Sequence, residues 1–516
     1  MERKSSLGSQ SRRDFIRRAA CAAVGTVALN ATLRDLRFMN AAVAQSNIPP
    51  TDYKALVCIF LAGGNDSNNL IIPTIQSEWN SYSAIRTSVL ALPISGAPFN
   101  VIPLSPTNSD GHNYGIHPAC PELAAMFNGT GSNTGKLAIL FNAGTLVIPL
   151  TRLQYQSISY TKPPQLFSHA DQVAQWQTSI PNQPPLTGWG GRVADLLASV
   201  QPNAKISMSV TLNGANTFEV GSSSSQYAVS TSGAVSLNGL SSTRLAALTN
   251  ILGVPYANVQ AQAYANVAAH SINTTGLLNA AILPTADISG TQQFWTTPFP
   301  GNSPFQLTTP TSGTKFSSSL GPQLKMIARL IEAGSKPAGN LLTTDGNPMN
   351  RQIFFCSVGG YDLHTGQTTG NTPSTVVTGA HANLLAELSQ CLNAFQAAMD
   401  QIGTLHGDSS FSRRVTAFTS SDFGRTFPSN GLGSDHGWGS HHLIAGGAVK
   451  GQQTYGTFPS LTINGPDDTS TGRWIPSTAT DQYFSTLATW FGVDPTNLTT
   501  IFPNIGNFTA PNIGFI

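Results

Sequence analysis

The chain has 516 residues, of which 40% are hydrophobic and only 10% charged, with 48 Gly, 33 Pro and a formal net charge of +2. This length and composition describe a globular, loop-rich protein able to bury a sizeable core, within reach of an α/β domain with long insertions. The lack of an uncharged apolar run of membrane-spanning length beyond the N-terminus excludes stable membrane insertion of that part, and the charge balance leaves no nucleic-acid footprint.

In chain order, the first feature is SQSRRDFIRRAACAAVGTVAL, where Arg12, Arg13 and Phe15 precede an alanine-rich apolar run. It resembles the twin-arginine (Tat) signal of bacterial secreted proteins, with a cleavage site of the A-x-A kind ending at Ala44. This predicts a signal peptide over 1–44, the Tat translocon as a partner during export, and a periplasmic or extracellular location. Arg17 and Arg18 sit before Cys21 where a lipobox needs apolar residues, so lipidation is set aside. Removing 1–44 takes away eight Lys/Arg and three Asp/Glu, which leaves a net charge of about −3. The remaining cysteines, Cys58, Cys120, Cys356 and Cys391, are widely spaced without C-x-x-C and read as buried free thiols.

Five apolar runs follow, at 55–61, 136–144, 352–360, 414–421 and 442–449. They are continuous rather than alternating, which suits strands covered on both faces of a parallel or mixed sheet. Helical spacing lies between them, clearest for Leu384, Leu388, Cys391, Phe395, Met399 and Ile402, with shorter patterns in PACPELAAMF and DQYFSTLATWFG. Alternation of strand and helix predicts an α/β sandwich. From about 200 to 345 the chain turns to Ser, Thr, Asn, Gly and Ala, which reads as an inserted polar segment or cap or, equally, as a surface segment of no functional weight.

Ligands of open α/β sheets bind outside the carboxyl ends of the strands. There the first run delivers Asn65, Asp66 and Asn68, the third Asp362 and His364, and the fourth Asp422 and Arg425, followed by Asp435, His436, His441 and His442. His441 and His442 are adjacent, so on a strand at most one shares a site with His436. Carboxylates mixed with imidazoles suit zinc, manganese or a similar divalent ion, and carboxylates alone also suit calcium or magnesium. Ser168, in FSHADQVAQWQT, reads as the N-cap of a helix, the ordinary role of such a serine. Beside a metal ion its hydroxyl becomes a candidate nucleophile.

The motifs GGND, HPACPELA, FSHADQ, GGYDLH, HANLLAEL, SDFGRT, SDHGWG, GGAVKGQ and YGTFPSL stand in an order similar to the alkaline-phosphatase-like superfamily. The closer resemblance is to its Tat-exported branch known as domain-of-unknown-function 1501. It covers most of 50–495 outside the inserted segment. It implies a three-layer α/β/α sandwich of alkaline-phosphatase-like type with a mostly parallel central sheet, a domain over 45–516 with its core in about 50–200 and 346–495, and an insertion or cap at about 200–345. By motif, Asp66 resembles the first metal ligand, Ser168 occupies the nucleophile-like position, Asp362 and His364 resemble a metal pair, and Asp422 and His436, beside Asp435, the last ligands. The chain departs from the superfamily where Phe423 replaces a histidine beside Asp422, and phenylalanine cannot ligate.

The resulting expectation is an exported metal-dependent hydrolase of phosphate, sulfate or related esters. Metal on Asp66, Asp362, His364, Asp422, Asp435 and His436 activates Ser168, and Arg425 or His169 holds the remaining charge of an anionic ester substrate. The alternative is a catalytically inactive secreted or envelope protein that reuses the fold for binding or assembly.

Overall fold

The computed structural model describes residues 52–516 apart from 131, 132, 134, 235–239, most of 256–273 and 283–305; the signal expected over 1–44 lies outside the described residues. Strands β1 (Lys54–Leu61), β2 (Leu137–Gly144), β3 (Ser209–Thr211), β4 (Tyr227–Ser230), β5 (Gly233–Ala234), β6 (Arg351–Val358), β7 (Val415–Ser421), β8 (Ser440–Gly446), β9 (Thr454–Tyr455) and β10 (Thr478–Ala479) form one sheet. Its order is β9-β2-β8-β7-β1-β6-β3-β4-β5, with β10 also pairing β2. The pairs around β1 are parallel, β1 with β6 and β7 and β6 with β3. Strand β8 runs antiparallel to both β7 and β2.

The apolar runs are continuous because both faces of the sheet are covered. On β1, Ala55, Val57, Ile59 and Leu61 enter a core shared with helices Leu320–Ser335 and Ala380–His406. Leu56, Cys58 and Phe60 enter the opposite core, with Trp176, Trp189, Phe484 and Phe491. Each fully buried aliphatic or aromatic side chain contributes about 1.5–3 kcal/mol, so the central strands anchor both layers. The four cysteines are free and buried.

The segment expected as an insertion or cap is built into this body at several points. Within it, β3 adds to the edge of β6, and Leu320–Ser335 packs on the sheet beside Ala380–His406. Among the described residues, no helix is long and apolar enough to cross a membrane.

Register places the functional edge. Leu61 pairs with Val358 on one side and Ser421 on the other, so three parallel strands end level with one another. Because β8 is antiparallel to β7, its first residue, Ser440, lies at that same edge. The loop carrying Asp435 and His436 therefore enters the sheet where the other three loops leave it.

Candidate metal centre

The loop after β1 turns through Gly63 and Gly64, with φ of +117° and +84°. At Gly63 a side chain would also run into the backbone of Tyr361 and Asp362, so this glycine lets the loops after β1 and β6 touch. The Gly63 N–H donates to Asp422 Oδ1 at 2.9 Å, which ties in the loop after β7. The fourth contributor is the helix His169–Thr178, with Ser168 as its N-cap.

These segments bring three imidazoles together. His436 Nε2 lies 3.1 Å from His169 Nε2 and 2.9 Å from His364 Nε2. Asp362 Oδ1 is 3.2 Å from His364 Nε2 and 3.3 Å from His436 Nε2, and Asp362 Oδ2 is 3.5 Å from His169 Nε2. The opposite nitrogens are all anchored. His169 Nδ1 meets Asp422 Oδ2 at 2.7 Å, His364 Nδ1 meets Asp435 Oδ1 at 2.8 Å, and His436 Nδ1 meets the Phe167 carbonyl at 2.8 Å.

The anchors fix the chemistry. A carbonyl only accepts, so His436 carries its proton on Nδ1 and a neutral ring then presents a lone pair at Nε2. Carboxylates behind the other two rings favour the same tautomer. Burial pushes the His436 pKa below the ordinary histidine value, with the Phe167 carbonyl acting in the opposite direction. Burial also raises the Asp362 pKa, but the hydrogen bond and charge of Arg425, with His169 and His364, outweigh it and hold the carboxyl below its usual range. Three imidazole lone pairs and a carboxylate thus face one another, an arrangement that a cation satisfies. Ligand atoms of His169, Asp362 and His436 all lie within 4.8 Å of one another, and His364 Nε2 adjoins this group through His436 and Asp362.

The residues singled out in the sequence fall into two circles. Asp362, His364, His436 and His169 make the inner one. Asp422 and Asp435 stand behind it: both Asp422 oxygens are used, on Gly63 and His169, and Asp435 Oδ1 also accepts from Asn430 at 2.9 Å. Burial raises the Asp435 pKa, but the hydrogen bonds from Asn430 and His364 outweigh it and keep the carboxyl low. Asp66 is given elsewhere, to a buried ion pair with Arg86 and a hydrogen bond from Gln367. Burial works against its ionisation, but Arg86, His381 and Gln367 prevail and lower its pKa. Gln367 in turn accepts from Ser434 at 2.8 Å, so Asp66 braces the loops that carry His364 and His436.

Arg425 is 1% exposed and commits both Nη groups to the loops, donating to Asp362 Oδ1 at 2.8 Å, to the Gly63 carbonyl at 3.3 Å and to the Ser434 carbonyl. It orients the Asp362 carboxylate and, buried as it is, has no exposed face for a substrate anion. Ser168 donates to Asp171 Oδ2 at 2.6 Å and makes no side-chain bond to a backbone N–H. Phe423, which cannot ligate, packs with its ring centroid 4.7 Å from that of His169 and 4.6 Å from that of His436, forming an apolar wall against two of the imidazoles.

Sequence reasoning placed His169 as an anion holder and did not find the Phe167 carbonyl. Phe167 opens the FSHADQ motif, but its φ of +73°, an outlier for an aromatic residue, and the use of its carbonyl are not written in that motif. His441 and His442 lie on β8 and stay outside the cluster, each buried.

Among known proteins, residues 332–500 match the model of a family described as "Protein of unknown function (DUF1501)". The matched region contains Asp362, His364, Asp422, Asp435 and His436, while His169 lies before it. No curated protein matches the chain.

Proposed function

We propose that the chain is an exported metal-dependent hydrolase of phosphate, sulfate or related esters, built on an alkaline-phosphatase-like sandwich, with one divalent ion held by His169, Asp362, His364 and His436. The observation that carries this reading is the convergence of three Nε2 atoms on one carboxylate while every Nδ1 is held from behind. Zinc suits this donor set best, with manganese as the next choice and calcium the poorest, since imidazole is a weak partner for hard cations. A divalent ion bound there supplies Lewis acidity toward an ester oxygen.

The chain's own residues do the rest. Asp422, Asp435 and the Phe167 carbonyl keep the rings in the ligating tautomer, and Arg425 aims Asp362. The Asp362 and His364 side chains are 45% and 42% exposed, so one side of the cluster opens to substrate while Phe423 shuts water out of another. Ser168 remains the candidate nucleophile, and Asp171, already accepting its proton at 2.6 Å, is placed to act as its base.

The test is elemental analysis of the purified chain beside His364→Ala/His436→Ala, followed by a phosphate and sulfate ester panel. About one equivalent of metal, lost in the double variant together with turnover, supports the reading. A folded wild-type chain that retains no divalent ion sinks it, and metal without turnover on any ester leaves the binding-only alternative.

A further inference from the structure

Resting on the metal-site reading above, we propose that Arg473 is the residue that recognises the substrate's anionic group, and that this group is a tetrahedral oxyanion of the phosphate or sulfate type. Arg473 is held from both ends. Its backbone N–H donates to Asp468 Oδ1 at 3.1 Å, and the same buried oxygen accepts from Ser470 at 3.0 Å and Gly472 at 2.8 Å. Its Nε donates to the His436 carbonyl at 2.8 Å, and its guanidinium carbon lies 4.2 Å from the centre of the Phe167 ring. Arg473 therefore touches both the ligand His436 and the residue whose carbonyl orients it.

The end of the side chain is uncommitted. Neither Nη of Arg473 has a hydrogen-bond or ion-pair partner among the described residues. The neighbouring cations are all engaged: Arg425 with Asp362 and two carbonyls, Arg86 with Asp66 and the carbonyls of Thr426 and Phe427, and Lys162 with the carbonyls of Tyr155 and Ser157. A guanidinium stacked on an aromatic ring and fixed through Nε has little freedom left to lose, and its two Nη groups form a planar fork that matches two oxygens of an oxyanion. A permanent cation beside a divalent ion is unfavourable by itself. It becomes favourable when an anion shares both charges, which is the arrangement a charged ester brings.

The test uses the full zinc-loaded chain, with inorganic phosphate, sulfate and acetate as probes in calorimetric titrations, on wild type, Arg473→Lys and Arg473→Ala. Zinc content is measured on the same samples. The expected result is phosphate or sulfate binding that falls about 10- to 100-fold in Arg473→Ala, a smaller fall in Arg473→Lys, which keeps the charge but loses the fork, and zinc content unchanged in both. Equal phosphate and sulfate affinity in all three proteins overturns the assignment, as does absence of binding to zinc-loaded wild type. Binding of acetate as tight as phosphate overturns the tetrahedral class. If the chain holds no zinc, the metal reading fails by that measurement alone. Phosphate binding to that protein then still decides for or against Arg473, according to whether it depends on the arginine. Arg473→Lys, which preserves the stacking, carries the test if Arg473→Ala does not fold.

Discussion

Two groups of histidines lie within a few residues of each other in SDHGWGSHH, and the fold treats them in opposite ways. His436 donates from Nδ1 to a carbonyl and presents Nε2 to two other imidazoles. His441, five residues on, accepts at Nδ1 from the Asn142 N–H and packs among Phe141 and Phe458. His442 points to the other core, its ring centroid 4.8 Å from that of Trp176 and 5.9 Å from that of Tyr483. The first arrangement directs a lone pair outward into a shared point, and the second consumes the ring as packing. Histidine density in a sequence is therefore no measure of a metal site; what matters is which nitrogen is held from behind and whether the others meet.

The comparison breaks most visibly if the two groups respond alike to truncation. His436→Ala is expected to reduce divalent-metal affinity beyond the about 10–100-fold that loss of an outer partner causes, with thermal stability of the chelator-treated protein nearly unchanged. His442→Ala is expected to do the reverse, costing about 2–5 kcal/mol as a buried cavity forms while metal content is kept. Chelator competition and denaturant unfolding on both variants check this. Metal loss in His442→Ala that persists under conditions where the variant is fully folded would place the strand pair in the site after all.

The outer carboxylates sharpen the same contrast on a smaller scale. Asp422→Asn is expected to weaken metal binding about 10–100-fold, because its carboxylate is 5% exposed and water cannot replace it behind His169. Asp435 is 48% exposed, so Asp435→Asn should fall at the low end of that range, solvent taking over part of its role. Metal titrations of the two variants in one buffer rank them. A larger loss in Asp435→Asn would mean that His364 contributes more to the ion than His169 does.

The strands were legible because burial on both faces writes itself as continuous apolar runs, and Asp362, His364 and His436 were legible because loops at strand ends collect polar residues. The roles within that set were not. Asp66 reads like a ligand at the end of β1, but the cation that claims it, Arg86, comes from Gln76–Leu90, a helix that carries no motif. The structure sets Asp422 behind His169, whose far nitrogen reaches His436, since a side chain's reach is set by packing such as that of Phe423 rather than by position in a motif. The middle segment's contribution to the sheet was hidden for a related reason: β3 has three residues, too few for a strand to show in composition.

The smallest expected effect is in pH dependence, and it separates the two groups without removing either. Burial lowers the pKa of both His441 and His442 to about 3, against about 6.5 for an unfolded histidine. With the folded value depressed, the unfolded chain binds the extra protons first. The stability these rings contribute is thus fully present above about pH 6.5 and is lost as pH falls toward 3. In chelator-treated protein, where metal release cannot contribute, His442→Phe is expected to flatten part of the decline in unfolding free energy across that window, because a ring that cannot titrate stays buried at no added cost. An equally steep decline in His442→Phe and wild type would mean that His442 is protonated inside the fold, and the distinction between a packing histidine and a ligating one would have to rest on geometry alone.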